Sequence, residues 1–207
     1  MTTMFEAEKK CGCCGKTVSV TQIGSTNAFG SSDLDARPPE MQRSAMFYFI
    51  ERCENCGYVA WNLEETIPQS EALQRILSEP IDFSDYVQIF ERGASIAELK
   101  GCTKDEVNWL HLNAAWSADD EQDLRMAVEI RKKILNNTNL DAISRPEDLL
   151  RLLDIARRAK EWEYAGQVLE RLNKFELSPL LKKIAAFQQK LLNKHDTNCY
   201  KVEDVKD

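Results

Sequence analysis

Histidine is scarce in this chain, with two in 207 residues, too few to argue a nucleophile–base pair. No Gly-rich phosphate loop appears. No apolar run approaches the ~20 residues of a membrane span. The N-terminus, MTTMFEAEKK, carries two glutamates and no apolar h-region, so no secretory signal is expected. A cytoplasmic location follows as an expectation, because thiols stay reduced there. Excess positive charge is also lacking. The net charge is −7, residues 1–66 hold six Lys/Arg against nine Asp/Glu, and residues 67–207 hold 21 against 25. The broad basic surface that supplies most non-specific nucleic-acid affinity is therefore not evident.

What is present suits a packed core. Apolar residues make up 43% and charged residues 29%, which argues against wholesale disorder. The length suits one ordinary domain or a small module beside a larger one. Seven cysteines, an odd number, argue for metal or free thiols over a disulfide scaffold.

Two halves differ in pattern. Thr17–Ile23 (TVSVTQI) reads as a strand, and Met46–Arg52 (MFYFIER) reads as another. Between them lies a loop rich in Gly, Ser, Asp and Pro. From about residue 64 the pattern is helical. Capping-box spacing recurs at Ser95/Glu98, Thr103/Glu106, Ser117/Asp120 and Ser144/Glu147. Ser178–Pro179 fits an N-cap followed by N1, and Gly93 and Gly101 fit C-terminal caps. Helices are expected near 70–78, 83–92, 104–117, 120–136, 147–160, 162–174 and 179–194. Leu149, Leu152, Leu153, Ala156 and Ala159 share one face. Trp162, Ala165, Leu169 and Leu172 continue that spacing in the next helix. The short turn between these two helices makes them antiparallel neighbours. The pair resembles a degenerate tetratricopeptide repeat, although Ala127 and Ala165 are 38 apart and not 34; a plain bundle is the other reading. The expected organisation is α+β: residues 1–66 a small zinc-ribbon-like β module, 67–194 an all-α, tetratricopeptide-like region, and 195–207 a frayed tail.

The cysteines carry the most specific motif. Cys-x-x-Cys-Gly occurs twice, as Cys11–Cys14–Gly15 and as Cys53–Cys56–Gly57. Two thiolates so spaced sit on one tight turn and point at one ion. The glycine that follows reaches a left-handed conformation without a Cβ penalty. Two such knuckles from distant parts of the chain make a tetrahedral site for one structural Zn²⁺, with Cys11, Cys14, Cys53 and Cys56 as ligands. Cys13 then occupies the variable interior of its turn, as Asn55 does in the other. Four thiolates fill the coordination sphere, so the site is expected to serve folding and not catalysis.

These knuckles, with the loop DLDARPP (residues 33–39) and an aromatic segment running into Cys53–Tyr58, resemble an uncharacterised bacterial family. Its members carry an N-terminal zinc-ribbon-like module and a C-terminal tetratricopeptide-like region. The resemblance covers roughly residues 8–66 and implies a fold and a metal but no activity. The chain departs from the family at Gly12, where proline is usual, and at the extra Cys13.

In an extended segment Asp33, Asp35 and Arg37 would share one face. They read either as a small polar site or as a loop anchor. His111 reads as a packed or surface residue. The acidic run Asp119, Asp120, Glu121, Asp123 reads as the N-terminus of a helix. The functional expectation is a non-enzymatic, zinc-containing adaptor for a protein or peptide partner. A nucleic-acid-binding ribbon and a redox enzyme or sensor using Cys13 are the alternatives.

Overall fold

The computed structural model describes residues 1–205; the last two positions of the expected tail, 206 and 207, lie outside them. The protein is α+β and helix-rich, as its sequence pattern implies. It forms two compact units, whose division cuts across the boundary expected at residue 66. The first joins Met1–Ala28 to Glu40–Gln122. The second joins Phe29–Pro39 to the chain from Asp123 onward.

In the first unit, β1 (Thr3–Lys10) and β2 (Thr17–Ser25) form an antiparallel hairpin in which Lys10 faces Thr17 and Met4 faces Ile23. Its turn is the first cysteine knuckle. β3 (Glu51–Arg52) and β4 (Val59–Ala60) form a second, very short hairpin around the second knuckle. β1 is not read from the sequence, because FEAEKK offers Glu and Lys where β-branched residues would signal a strand. The segment expected as a strand over Met46–Arg52 is a correction. Helix α1 (Gln42–Ala45) precedes it, and a 3₁₀ turn over Met46–Tyr48 followed by a bend at residues 49–50 takes the place of its first five residues. Only Glu51–Arg52 is extended. An apolar run this short has no decisive period, so packing chooses its conformation.

Three longer helices complete this unit: α2 (Glu71–Ser78), α3 (Tyr86–Leu99) and α4 (Lys104–Asp120). Gly93, expected as a helix end, lies in the middle of α3. A Cβ there would meet Ile50 Cδ1 at 2.7 Å and Val59 at 3.3 Å, so glycine lets α3 lie against the β3–β4 hairpin. Gly101 does end the helix. It sits at φ +73, with Cys102 N–H donating to Ala97 C=O and Gly101 N–H to Glu98 C=O, the Schellman pattern. Thr103/Glu106 forms the expected capping box. Ser95/Glu98 and Ser117/Asp120 do not, because both lie inside helices, where each serine hydroxyl donates to the carbonyl four residues back. The acidic run is corrected in the same way. Asp119 and Asp120 end α4, and only Asp123 caps a helix start, accepting from Met126 N–H. Trp116 is fully buried, edge-on to Trp109 at 5.3 Å.

In the second unit, α6 (Pro146–Arg158) packs against α5 (Leu124–Asn137), α7 (Trp162–Leu172) and α8 (Pro179–Asn193). Leu149, Leu152, Leu153, Ala156 and Ala159 are all buried, as are Ala165, Leu169 and Leu172. Ser144 is not the cap of α6; Arg145 holds that position and Pro146 is N1. Beyond α8, His195 at φ +51 turns the chain back. Residues 196–204, expected to fray, run beside residues 31–34. Leu34 N–H donates to Tyr200 C=O, Val202 N–H to Ser32 C=O, and Asp33 bridges Lys201. No helix among the described residues is long and apolar enough to cross a membrane.

Candidate metal centre

The two knuckles are nearly the same turn built twice. Cys11 N–H donates to Lys16 C=O (2.9 Å) and Gly15 N–H to Cys11 C=O (2.8 Å). Cys53 N–H donates to Tyr58 C=O (2.8 Å) and Gly57 N–H to Cys53 C=O (2.8 Å). Gly15 lies at φ +73 and Gly57 at φ +78, the left-handed region that the motif requires of its last residue. Each turn aims backbone N–H groups at its sulfurs. Those of Cys13 and Cys14 reach Cys11 Sγ, that of Lys16 reaches Cys14, and that of Tyr58 reaches Cys56.

These turns bring four sulfurs together from positions 39 to 45 residues apart across the pair. Cys11 Sγ lies 3.8 Å from Cys56 Sγ, and Cys14 Sγ lies 3.8 Å from Cys53 Sγ. All four lie within 4.8 Å of one another, so the group could hold a metal ion. Cys11 and Cys53 are buried, Cys56 is half-buried and Cys14 is exposed. Burial pushes the Cys11 and Cys56 thiols up. At Cys14 burial acts the same way, but it is outweighed by the Lys16 N–H, the Asn55 amide and the neighbouring Cys56 and Cys53 thiols. Together these bring it down to about 7. Asn55 Nδ2 donates to Cys14 Sγ at 3.4 Å, and Lys16 Nζ holds Asn55 Oδ1 at 2.5 Å. Asn55 is thus a supporting contact that its place in the variable turn interior did not announce.

Gly12 explains its own departure from proline. Its N–H donates to Leu63 C=O at 2.8 Å, which proline could not do. A Cβ at this position would stand 2.2 Å from Glu65 O and 2.9 Å from Glu64 O. Residues 63–65 therefore lie directly on the first knuckle. Gly12→Ala is expected to destabilise the protein by about 1–3 kcal/mol, the scale of forced overpacking. The denaturation midpoint of the metal-loaded chain checks this, and an unchanged midpoint would show that residues 63–65 are not held there.

Neighbouring bonds tie the knuckles to the rest of the first unit. Glu51, buried, accepts from Lys9 Nζ (2.7 Å), Gln22 Nε2 (2.8 Å) and Leu63 N–H (2.8 Å). Tyr58 Oη donates to Glu65 C=O at 3.1 Å, and Lys100, just past the end of α3, forms an ion pair with the Glu65 side chain. Arg92 of α3 lies over Gly57 and donates to Glu79 C=O at 2.6 Å. Gln69 Nε2 approaches Cys13 at its carbonyl (3.4 Å) and its sulfur (3.7 Å). His111 is buried and shares a 2.6 Å hydrogen bond with Glu91. Cys102 and Cys199 lie apart from the four-sulfur group.

Asp33, Asp35 and Arg37 belong to the second unit, not to the centre. They do not share an extended face. The chain turns at Ala36 (φ +70), with Asp33 N–H donating to Arg37 C=O at 3.0 Å. Asp35 is fully buried, with Oδ2 2.8 Å from Arg158 Nη1 and 3.6 Å from Arg131 Nη2. Beside it the buried Asp154 binds Arg157 at 2.6 Å, and burial pushes the Asp154 carboxyl up against the pull of that arginine. Arg157 also donates to the carbonyls of Asp196 and Asn198. Asp33 accepts from the Cys199 thiol at 3.3 Å. Sequence reasoning missed Arg131, Asp154, Arg157 and Arg158. They look like the polar residues of amphipathic helices, and only their burial sets them apart.

No protein-family model, curated protein or solved structure matches the chain, so the zinc-ribbon resemblance of residues 8–66 stands on its motifs alone.

Proposed function

We propose that the four-cysteine group binds one structural zinc ion and that the protein is a non-enzymatic adaptor for a protein or peptide partner, working where thiols stay reduced. The spacing of the sulfurs carries the zinc reading. Zn–S bonds near 2.3 Å place the corners of a tetrahedron about 3.8 Å apart; the Cys11–Cys56 and Cys14–Cys53 sulfur pairs are each 3.8 Å apart, and all four sulfurs lie within 4.8 Å of one another. Four thiolates leave zinc no open position for substrate or water, so the ion acts on folding.

The adaptor reading draws on what the site does not need. A ribbon that grips nucleic acid needs free cations on its surface. Of the ribbon's six cations (Lys9, Lys10, Lys16, Arg37, Arg43 and Arg52), Lys9 is held by Glu51, Lys16 by Asn55, Arg37 is buried in the other unit, and Lys10 is exposed. Arg52 lies over the Tyr86 ring at 5.7 Å. A thiol enzyme would turn on Cys13, whose surroundings offer the Gln69 amide.

Native mass spectrometry of the freshly purified protein, with thiol counting, tests the metal. One zinc per chain and three free thiols (Cys13, Cys102 and Cys199) are expected, counted on the unfolded, chelated chain against the native one. No zinc, with Cys11 and Cys14 oxidised, would overturn the reading.

A further inference from the structure

The β1–β2 ribbon has two free edges, and they differ. The Cys11–Lys16 bond makes that pair a hydrogen-bonded one. The register then makes Lys9–Val18, Ala7–Val20 and Phe5–Gln22 hydrogen-bonded pairs in turn. The backbone N–H and C=O groups of Ser19 and Thr21 therefore point away from β1. No protein group among the described residues pairs with them. The β1 edge is guarded by Glu6, Glu8, Lys9 and Lys10, the ordinary protection against stray strand pairing. β2, TVSVTQIGS, has no charged residue in nine positions. Its residues Val18–Thr21 form one wall of a cavity of about 430 Å³, and Phe47, Tyr48, Ile50 and Glu54 stand on the other side. That volume lies within the range of ligand clefts. An unguarded strand edge opening onto a cleft is the arrangement that peptide strand addition uses.

We infer that β2 accepts an extended partner segment as an added strand in this cleft, and that the segment alternates apolar and basic side chains. The inference rests on the adaptor reading and names its contact surface. Alternation along a strand dictates the side chains. Those on the Val18 and Val20 face meet Phe47, Tyr48 and Ile50, so they are apolar. Those on the opposite face share it with Ser19 and Thr21, whose hydroxyls donate to Glu6 at 2.9 and 2.6 Å. On that face the register sets Glu6 opposite Thr21, Glu8 opposite Ser19 and Lys10 opposite Thr17, so two carboxylates stand there against one ammonium; of the cleft's own charges, Glu54 is exposed, Glu51 is paired with Lys9 and Arg52 is turned onto Tyr86. A chain of net charge −7 adds a general preference for cationic segments.

The test uses the zinc-loaded full chain and three capped nine-residue peptides: alternating Val/Lys, alternating Val/Glu, and Val/Lys N-methylated at every second residue. The Val/Lys peptide should slow amide exchange at Ser19 and Thr21. The acidic and N-methylated peptides should bind at least about tenfold more weakly. Ser19→Pro removes an N–H that the hairpin does not use, so it should keep zinc and lose at least about tenfold in affinity. Glu54→Gln, read only on samples that keep full zinc because Glu54 adjoins Cys53, should narrow the preference for the basic peptide. Unslowed exchange at Ser19 and Thr21, equal binding of the N-methylated peptide, or a dimer formed through β2 would overturn the strand-addition site. Affinity capture separates this from the adaptor reading. Partners held equally by Ser19→Pro would overturn the edge and leave the adaptor standing. No partner with either chain would overturn both.

Discussion

Stripping the metal with a strong chelator is expected to unfold the two knuckles and the hairpins that carry them, while α5–α8 stay folded. Apparent zinc-binding energies in small structural sites are about 10–16 kcal/mol, against a net stability of roughly 5–15 kcal/mol for a whole domain. A bound zinc would thus contribute about as much as everything else that holds the first unit. Without the ion, Cys11 and Cys53 are buried thiols, and the β3–β4 ladder itself contributes only two residue pairs. Glu51, Gly12 and Tyr58 would lose their bonds to residues 62–65 next, because those bonds depend on the knuckles being formed. Hydrogen exchange read by residue checks this. Protection at Gly12, Cys53 and Gly57 should vanish on chelation, and protection along α6 should persist. Cys56→Ser should act in the same direction, since one ligand of four is gone. Full protection of both knuckles after complete metal removal would sink the idea that zinc organises this unit.

The second large effect is expected in the other unit. Asp35→Ala should destabilise it by about 3–5 kcal/mol, the scale for breaking a buried ion pair and leaving the partner charge uncompensated. Here two guanidinium groups, Arg131 and Arg158, lose the same buried carboxylate, and the backbone N–H of Arg37 loses its bond to Asp35 Oδ1. The turn over residues 33–37 should loosen, and residues 196–204 with it, since they are bonded to residues 31–34. The triple variant Asp35→Leu, Arg131→Met, Arg158→Met should recover much of the loss, because a well-packed apolar replacement is often neutral. Exchange along α6, measured with zinc content in the same sample, reads the effect. A loss below about 1 kcal/mol would put Asp35 on the level of an exposed pair, and loss of zinc alone would misplace the damage.

How much could be foreseen follows from where each signal resides. The cysteine pairing was legible because the knuckle is local chemistry. Five consecutive residues set the turn, the glycine supplies the left-handed φ, and the repeat at residue 53 names the partner. The long helices were legible for the same kind of reason. Thr103 and Ser178 cap them, and the leucines of α6 recur at helical spacing. Errors cluster where two local readings were nearly equal. MFYFI is apolar without a period, so the contacts of Met46 and Ile50 with the core decided between helix and strand. Gly93 could end a helix or let one pass close to a neighbour, and the side chains of Ile50 and Val59 settled it.

The sequence by itself determined which four cysteines come together, most helix boundaries and the absence of a broad basic surface, since each depends on short motifs of a few residues or on composition. Tertiary structure alone decided that the DLDARPP loop belongs with α5–α8 and the C-terminal segment. It also decided that Arg131, Arg157 and Arg158 are buried, and that β2 keeps an open edge. Those facts depend on contacts between residues as far apart as Asp35 and Arg158, 123 positions along the chain. No local pattern encodes which of many similar charges will be desolvated together; only the packed chain selects the pair.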